Sequence, residues 1–529
     1  MGKHNTNGNI HVVTRDDPPF FFNRGEGYER HQLPVGTEVI YPNPPLEPLP
    51  DRRAAIEQAV DHPLWCDPLA AQLRPGMKVT IAFDDVSLPL PPMARPDVRQ
   101  TVMEVVLERL DRAGVSDIEL ICAICLHRRI TPAEMKHMVG PEIFRRFFPK
   151  RLYNHDAEDP EGNTVLGTTP HGEVVELNRR AVESDLLIYV NINLVTMDGG
   201  HKSVPVGLAT YRCVKHHHNA NMLLHDSSYM DPPNSDFHRS CERMGEITAK
   251  KINIFTIETT LNGNLFHNLL GFMKAREHAW KLHDRIAYHG SRLGLKLLPG
   301  SLRRKVYQAL PAPYGMTGVN AGKTELVHRA TLDSVDHQQQ VELTGQADIV
   351  LIGLPSIGPY NVHSILNPIL VYCLSVGYFF NFYRGKPYIR RGGVMIIDHP
   401  VENQFHEIHH PSYYDFFEDL LPQTRDPREL ERRFEKSYAE NSWYRHLYRN
   451  SYAYHGVHPF YMWYWGAHGM AHMGKVIVIN PQSELAARRI GFDVAASMDA
   501  AISMAKDVVG QNPRIAYLHC PPIAMCAVK

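Results

Sequence analysis

The sequence predicts an α/β protein built as two α/β domains with mainly parallel sheets and a cleft between them. Three observations predict it. The chain has 529 residues, enough for two or three cores of ordinary domain size. From residue 77 onward, short β-branched apolar runs alternate with longer runs of helical period, the pattern of strands joined by crossover helices. A second block of the same kind opens near residue 340. The boundaries implied are an N-terminal arm over 1–50, a cofactor-binding α/β domain over 51–285, a helical or irregular linker over 286–338 and a second α/β domain over 339–529. The last stretch, about 20 residues, either completes the second sheet or returns to the first.

The elements follow in order. Prolines crowd residues 1–50 and forbid a long helix there, leaving an extended arm with one short strand near 37–41. Residues 51–60 read as a helix and 63–73 as a short second one. Strands at 78–83 (KVTIAF) and 118–124 (IELICAI) flank a helix at 95–114 that Gly114 closes. Thr131, with Glu134 three residues on, caps a helix over 131–139. Further strands are expected at 151–155, 173–177, 186–193 (LLIYVNIN) and 253–258. A helix at 272–290 and an irregular basic segment at 291–322 follow. The second block has strands at 349–354, 393–398 and 475–480, an apolar helix at 367–378, a helix at 498–509 and a last strand at 513–518.

Composition excludes several classes of partner. Lys and Arg number 56 against 57 Asp and Glu, so no overall field draws nucleic acid or an anionic membrane. No apolar run reaches the roughly 18 residues of a membrane span, and residues 1–14 lack the apolar core of a secretory signal. The 8 cysteines are scattered. Cys122 and Cys125 form a CxxC inside an apolar strand-like run, without the second pair that a zinc site needs. Reduced thiols in a cytoplasmic protein are the expectation.

The chemistry concentrates in Asp198-Gly199-Gly200-His201-Lys202-Ser203, followed by His216-His217-His218-Asn219. Two glycines allow a tight approach, one amine sits in the loop, and a run of imidazoles follows, the commonest side-chain metal ligand near neutral pH. In parallel α/β sheets, ligands bind beyond the carboxyl ends of the strands. Asp85, His127 and Lys202 each follow such a strand, so three able side chains are expected to converge on one crevice.

With those residues in view, the chain resembles the nickel-dependent lactate racemase family from about residue 30 to the end. Asn154-His155-Asp156, Leu166-Gly167-Thr168-Thr169, Gly172, Asn178-Arg179 and Ser184-Asp185 lead into Gly199-Gly200-His201-Lys202 as they do in that family. The resemblance implies two α/β domains with the site between them. It also implies a nickel-pincer nucleotide bound covalently to Lys202, with His218 as the nickel ligand. His127, in Cys125-Leu126-His127-Arg128, would be one acid/base. Asp85 and Ser87 fall on the motif that holds the cofactor. A 2-hydroxy acid substrate and cofactor-synthesis proteins as partners follow, and the activity expected is that of a racemase or epimerase.

Two positions depart from the family pattern. Leu88 stands where the family has an Arg for the cofactor phosphate. The loop 193–198 carries no His, so the second acid/base is sought in His201, the first choice, or in His216, His217 or Asp198. An oxidoreductase-like chemistry, or a binding protein without cofactor, is the alternative reading.

Other constellations are read as structural. His406-Glu407-Ile408-His409 satisfies HExxH, but Pro411 follows at once and argues for a loop rather than a zinc-binding helix. Gly318 to Thr324 is one residue short of a phosphate-binding loop and follows no expected strand, which excludes nucleoside triphosphate there. Asp398-His399 ends a strand and faces a possible crevice. The aromatic stretch 452–472 packs on the second sheet or walls the pocket. Residues 431–440 read as a solvated charged face, and Arg303-Arg304-Lys305 as surface.

Overall fold

A computed structural model describes residues 8–529 apart from Pro89, Asp226 and Pro522. The start of the expected arm, residues 1–7, lies outside the described residues, as does Pro89 of the motif after the first long strand.

Two sheets carry the two domains. The first has six strands in the order Met316–Gly322, Ile254–Leu261, Leu186–Asn193, Lys78–Asp84, Asp117–Ala123 and Leu152–Asn154. All neighbours run parallel except the edge strand Met316–Gly322, which is antiparallel to Ile254–Leu261. Leu186–Asn193 is buried at every residue, as a strand covered on both faces by helices must be.

The second sheet has seven strands in the order Ile10–Val12, Glu38–Ile40, Ile515–Leu518, Ala347–Gly353, Ile389–Asp398, Lys475–Ile479 and Asp493–Ala495. Here too only the edge strand Ile10–Val12 is antiparallel to its neighbour. Ile515–Leu518 thus completes the second sheet. Met525–Val528 then pairs with Gln340–Leu343 and Tyr383–Arg384 in a small parallel sheet.

Helix His458–His472 is the centre of the second core. It is apolar almost all round, the signature of a helix enclosed by protein. It crosses the helical segment spanning residues 368–379, where Trp463 stacks on Tyr372 at 4.0 Å between ring centroids. Among the described residues, no helix is long and apolar enough to cross a membrane.

Several local expectations are corrected. Residues 63–73 form only a short 3-10 turn, Leu69–Gln72, because Pro63, Pro68 and Pro75 punctuate the stretch. The helix expected over 272–290 begins at Leu282 and runs to Leu297; two 3-10 turns, Asn268–Met273 and Glu277–Ala279, precede it. The segment expected to be irregular holds helix Gly300–Ala309 and strand Met316–Gly322. Gly318 to Gly322 therefore lies within a strand and leads into helix Thr324–Gln339. A strand with two glycines and a single valine lacks the β-branched signal that marks its neighbours. Residues 431–440 are not wholly solvated: Glu435 is buried and accepts hydrogen bonds from Tyr464 Oη at 2.8 Å and Tyr211 Oη at 3.1 Å. Arg303 and Arg304 both pair with Glu26 rather than lying free.

Candidate active site

A cavity of about 190 Å³ opens between the two domains. Its first-domain wall includes Asp84, Asp85, Ser87, His127, Asp198, Lys202 and His218. Its second-domain wall includes Tyr360, Tyr378, Phe382 and Trp465. Side chains that follow three different strands, together with His218 of the histidine run, therefore share one chamber.

The turn carrying His127 is held from both sides. Strand Asp117–Ala123 ends and Cys125 takes a left-handed φ of 48°, a conformation a non-glycine residue keeps only when its surroundings fix it. Tyr448 Oη donates to the Cys125 carbonyl at 2.7 Å, and the His455 amide donates to the Leu126 carbonyl at 3.1 Å. His127 Nδ1 lies 2.8 Å from Asp85 Oδ2 and 3.3 Å from Ser87 Oγ. A carboxylate accepts only, so Nδ1 carries the proton and Nε2 presents a lone pair. Burial pushes the Asp85 carboxyl up, but His127 and Ser87 outweigh it and hold it below its ordinary value.

The Gly-Gly pair explains itself. Gly199 and Gly200 have φ of 80° and 66°. A Cβ on Gly199 would stand 2.4 Å from Asn193 Oδ1 and 2.5 Å from Glu258 Oε1, and one on Gly200 would stand 2.6 Å from the His328 ring. Glu258 Oε1 accepts the Gly200 amide at 2.7 Å. Lys202 closes the 3-10 turn Gly200–Lys202, and Ser203 Oγ donates to Asn191 Oδ1 at 2.6 Å. Lys202 is the only Lys or Arg among the described lining residues, beside three aspartates. Burial raises the Asp84 carboxyl to about 7; the Ile192 amide opposes the shift and Asp198 adds to it. Burial raises Asp198 as well, against the pull of Lys202. Asp198 Oδ2 accepts the amides of Leu194 and Val195, both at 2.9 Å, while Oδ1 is buried with no partner among the described residues.

The histidine run forms a relay. His217 Nε2 lies 3.4 Å from the Pro205 carbonyl, and its Nδ1 lies 2.6 Å from His218 Nδ1. The carbonyl needs a donor, so His217 Nε2 is protonated and His217 Nδ1 accepts from His218 Nδ1. His218 Nε2 is then a lone pair, the form in which imidazole binds a metal. Burial drives the His218 imidazole well below its ordinary value and keeps it neutral. The rings of Phe237, Tyr461 and Trp465 surround it at 5.2–5.3 Å.

His201 is not brought into this chamber. Its ring packs on Gly245 and lines a separate crevice. His216 and His217 do not line the chamber either; of the four positions considered for a second acid/base, only Asp198 does. His406 and His409 sit in a turn, not on one helix: the His409 amide donates to His406 Nδ1 at 3.1 Å, and helix Pro411–Asp415 starts afterwards. Cys122 and Cys125 are buried free thiols. Asp398 is held by Arg24 and by His31 Nε2, the latter at 2.6 Å, and anchors the N-terminal hairpin formed by strands Phe20–Arg24 and Gly27–His31. The one cluster of three metal-ligand side chains among the described residues, His11, Asp17 and His278, lies outside the chamber. The sequence reading missed Asp84, Tyr360 and Tyr378. Asp84 had a signal, as the last residue of a parallel strand; the tyrosines, in a loop and an apolar helix, had none.

Residues 25–231 match the lactate racemase N-terminal domain. Most of the first domain thus carries the sequence of a lactate racemase N-terminal domain. That span contains all six of the side chains expected to act: Asp85, Ser87, His127, His201, Lys202 and His218. A lactate racemase of Thermoanaerobacterium thermosaccharolyticum is 24% identical over 173 residues, which is 32% of this chain and 38% of that protein. One from Lactiplantibacillus plantarum is 25% identical over 174 residues, again 32% and 38%. The chain thus spans well under half the length of the curated relatives it matches. The lactate racemase apoprotein structure from T. thermosaccharolyticum superimposes with a TM-score of 0.63 at 17% identity, covering 96% of this chain and 100% of that one. A Thermotoga maritima crystal structure gives 0.51 at 15%, covering 92% and 100%. These likenesses establish a shared two-domain α/β fold.

Proposed function

We propose that this chain racemises or epimerises a 2-hydroxy acid in the chamber between its domains. One observation carries the reading: Lys202, the Asp85-oriented His127 and His218 all line one cavity. The donor set suits a nickel-pincer nucleotide at its reactive end, since Lys202 would offer an amine for covalent attachment and His218 a neutral imidazole as a nickel ligand. At the phosphate end Leu88 supplies no charge, and Ser87 offers a hydroxyl. When bound, this cofactor supplies the acceptor and donor of the hydride at C2.

The chain's own residues do the proton work. His127 Nε2 accepts the hydroxyl proton, and Asp85 holds the imidazolium that results. Asp198, kept above the ordinary carboxylate range by burial, serves the other face in place of His201. The hydroxyls of Tyr360 and Tyr378 are 2.8 Å apart, so one donates to the other and the pair has one proton left to donate to the substrate carboxylate. The apolar remainder of the wall excludes water.

A second reading, an oxidoreductase-like reaction with a single base, draws on the exclusion of His201 from the chamber and on Leu88. The test is intact-mass measurement with nickel analysis of protein made in a host that synthesises the cofactor, then chiral product analysis over a panel of 2-hydroxy acids deuterated at C2. A covalent adduct that vanishes in Lys202→Ala, with inversion and the C2 deuterium retained, supports racemisation. An adduct with no inversion but release of the 2-oxo acid, its deuterium left on the cofactor, favours the second reading. No adduct and no nickel would overturn both.

A further inference from the structure

The chain carries a net charge of only −1, yet residues 281–310 contain seven Lys and Arg against a single acid, Asp284. The same stretch is apolar on its outside. Of the 17 exposed large apolar side chains among the described residues, seven lie between Leu282 and Leu310, with Leu269 close by.

On helix Leu282–Leu297 the exposed members are Leu282, Ile286, Leu293 and Leu297, at 58–74% exposure. At about 100° per residue they fall within roughly 60° of arc, so they form one stripe. This is not the face that packs. Tyr288 is buried in an aromatic cluster with Phe21, Tyr28, Phe272 and Trp280, and Leu295 packs against it, on the opposite side of the helix. Helix Gly300–Ala309 repeats the arrangement, with Leu302 and Val306 exposed one turn apart.

The cations divide in two. Arg292 pairs with Glu29, and Arg303 and Arg304 pair with Glu26, tying the helices to the N-terminal hairpin. Lys281, Arg285, Lys296 and Lys305 are exposed. Arg285 and Lys296 fall about 40–60° to one side of the stripe, where long side chains can reach past apolar groups to an anionic layer.

We propose that these two helices form a peripheral docking surface for an anionic lipid bilayer, the apolar stripe entering the acyl boundary and the flanking cations meeting the headgroups. A second copy of the chain fits less well, because a two-fold interface would set one cationic face against its twin. Overall neutrality hid this surface in the sequence, since the charge that matters is local.

The test is sedimentation of the full-length protein with vesicles of equal parts phosphatidylglycerol and phosphatidylcholine, against pure phosphatidylcholine. The expected result is at least roughly tenfold stronger binding to the anionic vesicles, weakened at about 0.5 M salt. It should be lost both in Ile286→Glu/Leu293→Glu and in Arg285→Glu/Lys296→Glu, with circular dichroism unchanged. Absence of anionic preference, or binding that survives both double variants, would overturn the proposal. So would self-association in sedimentation velocity that Ile286→Glu/Leu293→Glu abolishes, which would assign the stripe to a second copy. A variant that unfolds is replaced by Ile286→Ser/Leu293→Ser, read by the same outcomes.

Discussion

Asp85 Oδ2 stands 2.8 Å from His127 Nδ1, and this one contact puts the proton of the neutral imidazole on Nδ1 and leaves the lone pair on Nε2. The family motif suggested Asp85 as a cofactor holder; its geometry makes it the group that fixes the tautomer of His127. Asp85→Asn would offer an amide donor or a weaker acceptor and release the tautomer. The expected result is a fall in kcat of about 10²–10⁴-fold, with the Lys202 adduct still present by intact mass. Loss of the adduct in that variant would return Asp85 to cofactor binding.

The relay from the Pro205 carbonyl through His217 to His218 yields a second prediction. His217 does not line the chamber, so its effect passes through His218. His217→Ala should weaken nickel retention by about 10–100-fold, the usual loss when a ligand's outer partner is removed. His217→Gln, which can still accept from His218 Nδ1, should recover part of it. Metal analysis after dialysis against a chelator measures both, and equal retention in wild type and His217→Ala would exclude the relay.

Much of this was legible in the chain and some was not, for physical reasons. Strands such as Lys78–Asp84 and Leu186–Asn193 are covered on both faces, so their apolar runs are continuous and hard to miss. The convergence of residues 85, 127 and 202 follows from parallel topology alone. His201 was misjudged because adjacent residues in a tight turn point different ways: Lys202 lines the chamber while His201 packs on Gly245. The strand Met316–Gly322 was hidden by its glycines. Tyr360 and Tyr378 reach the chamber only through the docking of the second domain, which no local pattern encodes.

Glu435 makes stability depend on pH. Burial, the largest influence, raises its carboxyl from 4.5 to about 7; the Tyr464 hydroxyl opposes this and Glu431 adds to it. The folded state therefore holds the proton more tightly than the unfolded state. Stability from this group is full below pH about 4.5 and is lost as pH rises through about 7, a change of about 3 kcal/mol. Glu435→Gln removes the titration and keeps an acceptor for a tyrosine hydroxyl. The wild type should lose stability between pH 5 and 8 relative to Glu435→Gln, measured by urea denaturation at each pH; parallel curves would show that Glu435 ionises normally.

Gly469 sets how closely helix His458–His472 can cross its neighbour. A Cβ there would stand 2.1 Å from the Val376 carbonyl oxygen and 3.2 Å from the Phe380 ring. In an exposed helix, Gly→Ala stabilises by about 1 kcal/mol. At this crossing the obstacle is backbone, which cannot turn aside as a side chain does, so the helices must part. Separation would loosen the stacking of Tyr372 on Trp463 and disturb the wall that Trp465 gives to the chamber. Gly469→Ala should therefore destabilise by about 1–3 kcal/mol, lower the melting temperature and raise KM through the displaced wall. Gly290→Ala, in helix Leu282–Leu297 where nothing lies within 4 Å of the added Cβ, is the control. It should leave stability unchanged or raise it, and a melting temperature lowered equally in both variants would remove the crossing as the cause.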